Sequence, residues 1–353
     1  MSYNQNVIEL SGKATLIGSF PLKSHEEAVE LILEYIPKIP CWPQLPTYPR
    51  EGMLVQFSSG LPGFDPERLI IDPGVPDFET ERLSFYEEYL AVTESGEDLE
   101  NTRFKLTPAE APGLFVLIEK ASEKAPLPAV KGQITGPFTL AVGLKTPDGK
   151  AVFYDLELRD LVVKLVALKA RWQVRKLKEL SPSVIIFFDE PALSGFGSSA
   201  FMGVSREEVL AVLSEVIAEV HKEGGLAGVH VCGNTDWSLL TDSPTDIINF
   251  DAYGFYEKFI TYDKELKSFL EKGGLVAWGL VPTLKSEDLE KETPESLAER
   301  FRDLLKELSL RTGLSEEYLL SHSLLTPSCG MGTLSQELTL KSLKDLKRLT
   351  EII

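Results

Sequence analysis

Two short segments carry the residue types most suited to chemistry. One is His230-Val231-Cys232, and the other is Pro327-Ser328-Cys329. The chain has only three cysteines and four histidines, and each of these segments ends an apolar run. His230 and Cys232 are two apart, so on an extended segment both side chains point the same way. Cys329 supplies a second sulfur, and Asp251, which closes the apolar run from Asp246 to Phe250, supplies an oxygen. Two thiolates, one imidazole and one carboxylate make a tetrahedral zinc set. The bland alternative is that both cysteines are small buried hydrophobes and His230 is a satisfied core residue. Zinc held by two sulfurs suits thiol activation. Thiolate ligands soften the ion, so a bound substrate sulfur stays nucleophilic, and the chemistry that follows is alkyl transfer to sulfur.

Other polar residues stand at the ends of apolar runs. Asp189-Glu190-Pro191 follows Val184 to Phe188, and two acids there are costly unless they bind something. Either could take the ammonium group of an amino-acid substrate, or one could cap the loop. Gly18-Ser19 and the stretch Gly132 to Pro137 look like close backbone approaches to a ligand, and Gln56 closes the run that begins at Met53. Cys41 sits in a proline-rich stretch outside this set, and His322 reads as structural.

The elements that must position these residues alternate. Apolar runs near 14, 53, 130, 185, 227, 247, 276 and 320 read as strands, with helical periodicity between them. Several runs are apolar without alternation, as strands buried on both faces are. Leu158, Leu161, Leu165, Leu168 and Trp172 form one helical stripe, and Ser205 with Glu208 forms a capping box. Eight strand–helix units predict an α/β fold, a (β/α)8 TIM barrel forming a single domain over residues 1–353, with irregular excursions after the first and second strands. In this reading residues 41–50 are too proline-rich to be regular, a helix covers about 256–272, and 319–325 form the last strand. A barrel keeps its chemistry at the carboxyl ends of its strands, which is where Ser19, Gln56, Thr135, Asp189, His230, Asp251 and Cys329 fall.

Bulk composition narrows the partners. The 353 residues carry a net charge of −18, which argues against nucleic acid or an anionic membrane surface. Hydrophobic residues make up 43%, enough for a large core, yet no run is long enough to span a membrane. The amino end lacks the pattern of a signal peptide. Sparse, odd-numbered cysteines suit a reducing compartment, so a cytoplasmic location is expected.

Taken in order, these motifs carry a likeness. The chain resembles the carboxyl-terminal catalytic barrel of cobalamin-independent methionine synthase, in the superfamily that includes uroporphyrinogen decarboxylase and the corrinoid-dependent coenzyme M methyltransferases. Gly18-Ser19-Phe20-Pro21 resembles the family's first strand end, which contacts homocysteine. Lys131 to Pro137 resembles its third strand, and Asp189-Glu190-Pro191-Ala192-Leu193 the segment whose aspartate binds the substrate amino group. His230-Val231-Cys232 and Cys329 match its zinc ligands, and Asp251 stands where that family has a zinc glutamate. Gln56-Phe57-Ser58-Ser59-Gly60 stands where a substrate-binding glutamate is expected after the second strand. The family's fused amino-terminal half has no counterpart in these residues, and His230 to Thr235 is closer to the corrinoid-linked enzymes.

The resemblance therefore implies a zinc-dependent methyltransferase that moves a methyl group from methylcobalamin or a separate methyl-corrinoid protein to a thiol, homocysteine first. Other expectations are a different acceptor such as coenzyme M, a methyltetrahydrofolate donor, a zinc-free decarboxylase of the uroporphyrinogen kind, and a carrier-binding protein whose zinc is structural.

Overall fold

The computed structural model describes residues 10–353. The amino end that lacks a signal-peptide pattern lies, up to Glu9, outside the described residues. A two-residue antiparallel hairpin comes first, β1 (Phe64–Asp65) with β2 (Ile70–Ile71). Six parallel strands follow in spatial order: β3 (Val130–Thr135), β4 (Val184–Asp189), β5 (Leu226–Val231), β6 (Ile247–Phe250), β7 (Leu275–Val281) and β8 (Ser323–Pro327). Every residue of these six strands is buried, as parallel strands covered on both faces must be.

Two irregular staves close the ring. Residues 13–19 pair with β8, where Thr15 N–H donates to Leu325 O at 3.0 Å and Leu325 N–H to Lys13 O at 2.9 Å. Residues 41–44, with the carbonyl of Pro40, lie between that stave and β3. Gln44 N–H donates to Gly18 O at 2.9 Å, and Lys131 N–H to Pro40 O at 2.9 Å. The result is the expected eight-fold α/β barrel, with two staves too short in regular pairing to form named strands.

Three sequence readings need correction. The second stave is 41–44, not 53–57. Pro43 has no N–H to give, but the pairing uses only the amide of Gln44 and the carbonyls of Pro40 and Gln44, so proline is tolerated there. Met53 to Phe57 instead winds through turns, with the Val55 and Gln56 amides both donating to Gly52 O. Second, the span 319–325 is split. Glu316–Ser321 is a helix capped by Ser315, and only Ser323 onward is strand. His322 stacks on Tyr318 at the junction. Third, the helix read over 256–272 is two helices, Ala252–Phe259 and Asp263–Glu271.

The core divides as period-two strands require. Ile185, Phe187, Ile247, Leu275, Ala277 and Leu324 belong to a small cluster that fills the barrel. Their neighbours Ile186, Phe188, Val229, Ile248, Val276 and Leu325 point outward into a larger cluster shared with the helices. The helix Leu156–Leu177 buries the predicted stripe of Leu158, Leu161, Leu165, Leu168 and Trp172. Among the described residues no helix is long and apolar enough to cross a membrane.

That helix also buries a charge. Lys169 is fully buried, its Nζ has no hydrogen-bond partner among the described residues, and Glu110 lies 3.9 Å away. Burial pushes its pKa from 10.5 down to about 8, against the pull of Glu110. Between those values the unfolded chain binds the proton and the folded chain does not, so this group makes stability rise with pH through that window. Lys169→Met should remove that slope and stabilise the protein at pH 7 by roughly 3 kcal/mol at most. Urea unfolding of both proteins at pH 7 and pH 10 checks this.

Candidate functional site

Parallel register sets the site. Asp189 at the end of β4 pairs with His230 on β5, and His230 pairs with Asn249 on β6. All three therefore point into the top of the barrel. Cys232 lies one residue past β5. Cys329 lies just past β8, where Thr283 holds its loop: Cys329 N–H donates to Thr283 Oγ1 at 3.0 Å, and that hydroxyl reaches Cys329 O at 2.9 Å. Ser19 meets the same loop from the first stave, receiving Gly332 N–H on its Oγ and Met331 N–H on its carbonyl. A side chain at Gly330 would place its Cβ 2.0 Å from Ser19 Oγ, so only glycine lets the two segments touch.

The donor atoms of His230, Cys232 and Cys329 lie within 4.8 Å of one another. His230 is buried. Its Nδ1 bonds Asn249 Oδ1, while its Nε2 has no hydrogen-bond partner among the described residues. The hydrogen bond between the two sulfurs, aided by His230, lowers the pKa of the Cys232 thiol, and the same hydrogen bond and burial push that of the Cys329 thiol up. A ready thiolate, a second sulfur and an orphaned imidazole nitrogen at contact range fit a zinc ion. Asp251 is not in this trio. Its Oδ1 accepts Gly254 N–H at 2.8 Å and caps the helix Ala252–Phe259, and burial pushes its carboxyl up to about 6.

The trio forms the floor of a cavity of about 370 Å³. Ser19, Gln44, Glu51, Thr135, Asp189 and Thr333 supply its polar wall, and Met53 and Leu284 are its exposed apolar rim. Asp189 is 8% exposed and its Oδ1 has no hydrogen-bond partner among the described residues. Burial pushes its carboxyl up to about 6, opposed by His230 and by Lys131. Lys131 lies beneath, fully buried, donating to Ile17 O at 2.9 Å and to Gln133 Oε1 at 3.0 Å.

No family model matches this chain, and no curated protein matches it. Among solved structures it is similar to a B12-independent methionine synthase from Shewanella sp. W3-18-1 in complex with selenomethionine, at 20% identity and a TM-score of 0.45, over 67% of this chain and 65% of that one. The chain thus spans slightly less than two thirds of that protein's length. It is also similar to a methyltransferase from Methanosarcina mazei, at 14% identity and a TM-score of 0.46, over 98% and 97% of the two chains. The pneumococcal exo-β-D-N-acetylglucosaminidase StrH gives 14% identity and a TM-score of 0.48, over 98% of this chain and 86% of that one. Likenesses this distant do not choose among chemistries, which must come from the residues of the site.

Those residues sort clearly. Glu190, expected beside Asp189, points away from the cavity. It is fully buried and accepts Phe138 N–H, Thr139 N–H and the Thr139 hydroxyl, which caps the helix Pro137–Gly143. Gln56 lies behind the wall: its Oε1 accepts from Gln44 Nε2 at 2.6 Å, and its own Nε2 donates to Glu110 O at 2.8 Å. Gly18, at φ +144°, lets the first stave pass Gln133 and Gln44. The cavity carboxylate that sequence reasoning missed is Glu51. Its Oε2 accepts Leu45 N–H at 2.9 Å and its Oε1 pairs with His25 Nε2 at 2.9 Å. It follows the true second stave, so the misplaced strand hid it.

Proposed function

We propose that this protein is a zinc-dependent thiol S-methyltransferase whose acceptor is a small amino-acid thiol, homocysteine first, and whose donor is a methyl-corrinoid. One observation carries the reading: His230, Cys232 and Cys329 converge on the floor of a cavity whose anionic walls are Glu51 and Asp189.

Zinc bound there would lower the pKa of the acceptor thiol and keep its sulfur nucleophilic. Held by these three donors, zinc would keep a position for the acceptor sulfur, while Asp251 caps its helix. The chain's own groups orient the acceptor. Asp189 and Glu51 attract its ammonium group, and the Ser19 end of the first stave receives its carboxylate. The thiol proton leaves to solvent, the sulfur forms its bond to the methyl carbon, and the donor keeps the electron pair of its broken bond. Positioning within the cavity supplies much of the rate.

The wall chemistry also ranks the alternatives. A sulfonate thiol such as coenzyme M, the propionates of a porphyrinogen, or a polyglutamyl folate would each bring anions toward two carboxylates. A zwitterionic thiol brings an ammonium. The open apolar rim of Met53 and Leu284 suits the bulky face of a corrinoid, in keeping with the likeness of residues 230–235 to corrinoid-linked enzymes.

Zinc-edge X-ray absorption with and without homocysteine tests the reading. The expected resting shell has two sulfurs, and a third sulfur should appear on adding homocysteine. A shell that homocysteine leaves unchanged overturns the acceptor assignment. Methionine formed from methylcobalamin, and not from methyltetrahydrofolate, is the expected donor result.

A further inference from the structure

Asn249 is a polar side chain at the middle of a buried barrel, fully shielded from solvent, and its position on β6 gives it three partners on three other strands. Its Nδ2 donates to Ala277 O on β7 at 2.8 Å and to Thr326 Oγ1 on β8 at 2.8 Å. Its Oδ1 meets His230 Nδ1 on β5.

These contacts fix a proton. An asparagine amide has two donors on nitrogen and only acceptors on oxygen. A carbonyl accepts and cannot donate, so the contact with Ala277 O must be made by Nδ2. The flipped amide would set two oxygens against each other at 2.8 Å. Oδ1 therefore faces the imidazole as an acceptor, and His230 Nδ1 must carry the hydrogen. The lone pair of the ring is left on Nε2. That atom is buried and has no hydrogen-bond partner among the described residues, and a ring nitrogen of His230 lies within 4.8 Å of both cysteine sulfurs.

We propose that Asn249, with its amide held by Thr326 and Ala277, is the positioning residue that fixes the His230 tautomer and presets Nε2 as the metal donor. This rests on the zinc reading of the site. Asn249 touches neither metal nor acceptor in this scheme. It acts through His230 by holding the ring orientation and the Nδ1 proton, and removing such an outer hydrogen bond weakens metal binding about 10- to 100-fold.

The test uses the full chain. Zinc affinity is measured by competition with a chelator for the wild type, Asn249→Leu, Asn249→Asp and Thr326→Val, with circular dichroism as the check on folding. Nitrogen-15 NMR of the zinc-loaded wild type reads which nitrogen of His230 carries hydrogen. Asn249→Leu, which keeps volume and loses the acceptor, should weaken zinc about 10- to 100-fold. Asn249→Asp keeps an oxygen toward Nδ1 but sets its second oxygen against Ala277 O, so it should bind zinc more weakly than the wild type and more tightly than Asn249→Leu, an order that loss of packing alone does not predict. Thr326→Val frees the amide and should weaken zinc in the same direction by less. It serves as the deciding variant should Asn249→Leu fail to fold. Nδ1 should be the protonated nitrogen. Wild-type affinity in folded Asn249→Leu or in Thr326→Val, or hydrogen found on Nε2, overturns the role of Asn249 alone. A wild type that takes up no zinc overturns the reading of the site and the role of Asn249 with it.

Discussion

Cys232→Ser and Cys329→Ser are each expected to lose zinc and methyl transfer together. Both sulfurs reach the same point as His230, so each supplies one donor of a single set. A serine hydroxyl is neutral at pH 7 and replaces a charged, polarisable donor with a weak one. Structural zinc is worth about 10–16 kcal/mol, so losing one of three protein donors costs roughly 3–5 kcal/mol, or about a hundred- to several-thousandfold in affinity. The barrel should survive the change, because its interior and outer clusters are built from other side chains. Cys41→Ser is the internal control. Cys41 is buried in the second stave and stands outside the trio, so that variant should keep its metal. Metal content by mass spectrometry and product formation by chromatography check all three. Full zinc with full activity in either site variant sinks the assignment.

The legible parts of this fold were the ones whose pattern had a single physical source. Strands β3 to β8 are buried on both faces, so they appear as uninterrupted apolar runs ending in polar residues. The second stave has no such source. It is four residues holding a proline, its pairing rests on one amide and neighbouring carbonyls, and the apolar run at Met53 mimics a strand while winding through turns. Glu51 was lost through that one shift. Two other assignments were available from period two alone. Ile247 faces inward, so Asn249, two residues later on the same strand, must face inward as well, and a buried amide there needs partners. The same alternation separates Asp189, aimed into the cavity, from Glu190, aimed at a helix start. Three-dimensional contact was needed only for what lies across the barrel: the meeting of Ser19 with Gly330, and of Asn249 with Thr326.

Asp189→Asn is expected to raise the KM for homocysteine about 10- to 100-fold, the worth of one hydrogen bond to a charged group at roughly 1.5–3 kcal/mol. Asp189 lines the cavity with a buried oxygen that has no partner, and an ammonium group gives it one. The amide keeps the shape and loses the charge. A thiol without the amino group separates this role from damage to the metal site. Wild-type protein should prefer homocysteine to 4-mercaptobutanoate, because only homocysteine offers the ammonium. Asp189→Asn should lose most of that preference while handling 4-mercaptobutanoate as the wild type does. Glu51→Gln should shift in the same direction with a structural component added, since both Glu51 oxygens already hold protein groups and an amide NH2 would oppose the Leu45 amide or displace His25. Steady-state kinetics with the two thiols decides the matter. If Asp189→Asn keeps both the wild-type KM and the wild-type preference, the ammonium is bound elsewhere, and the carboxylate serves only to orient the groups around His230.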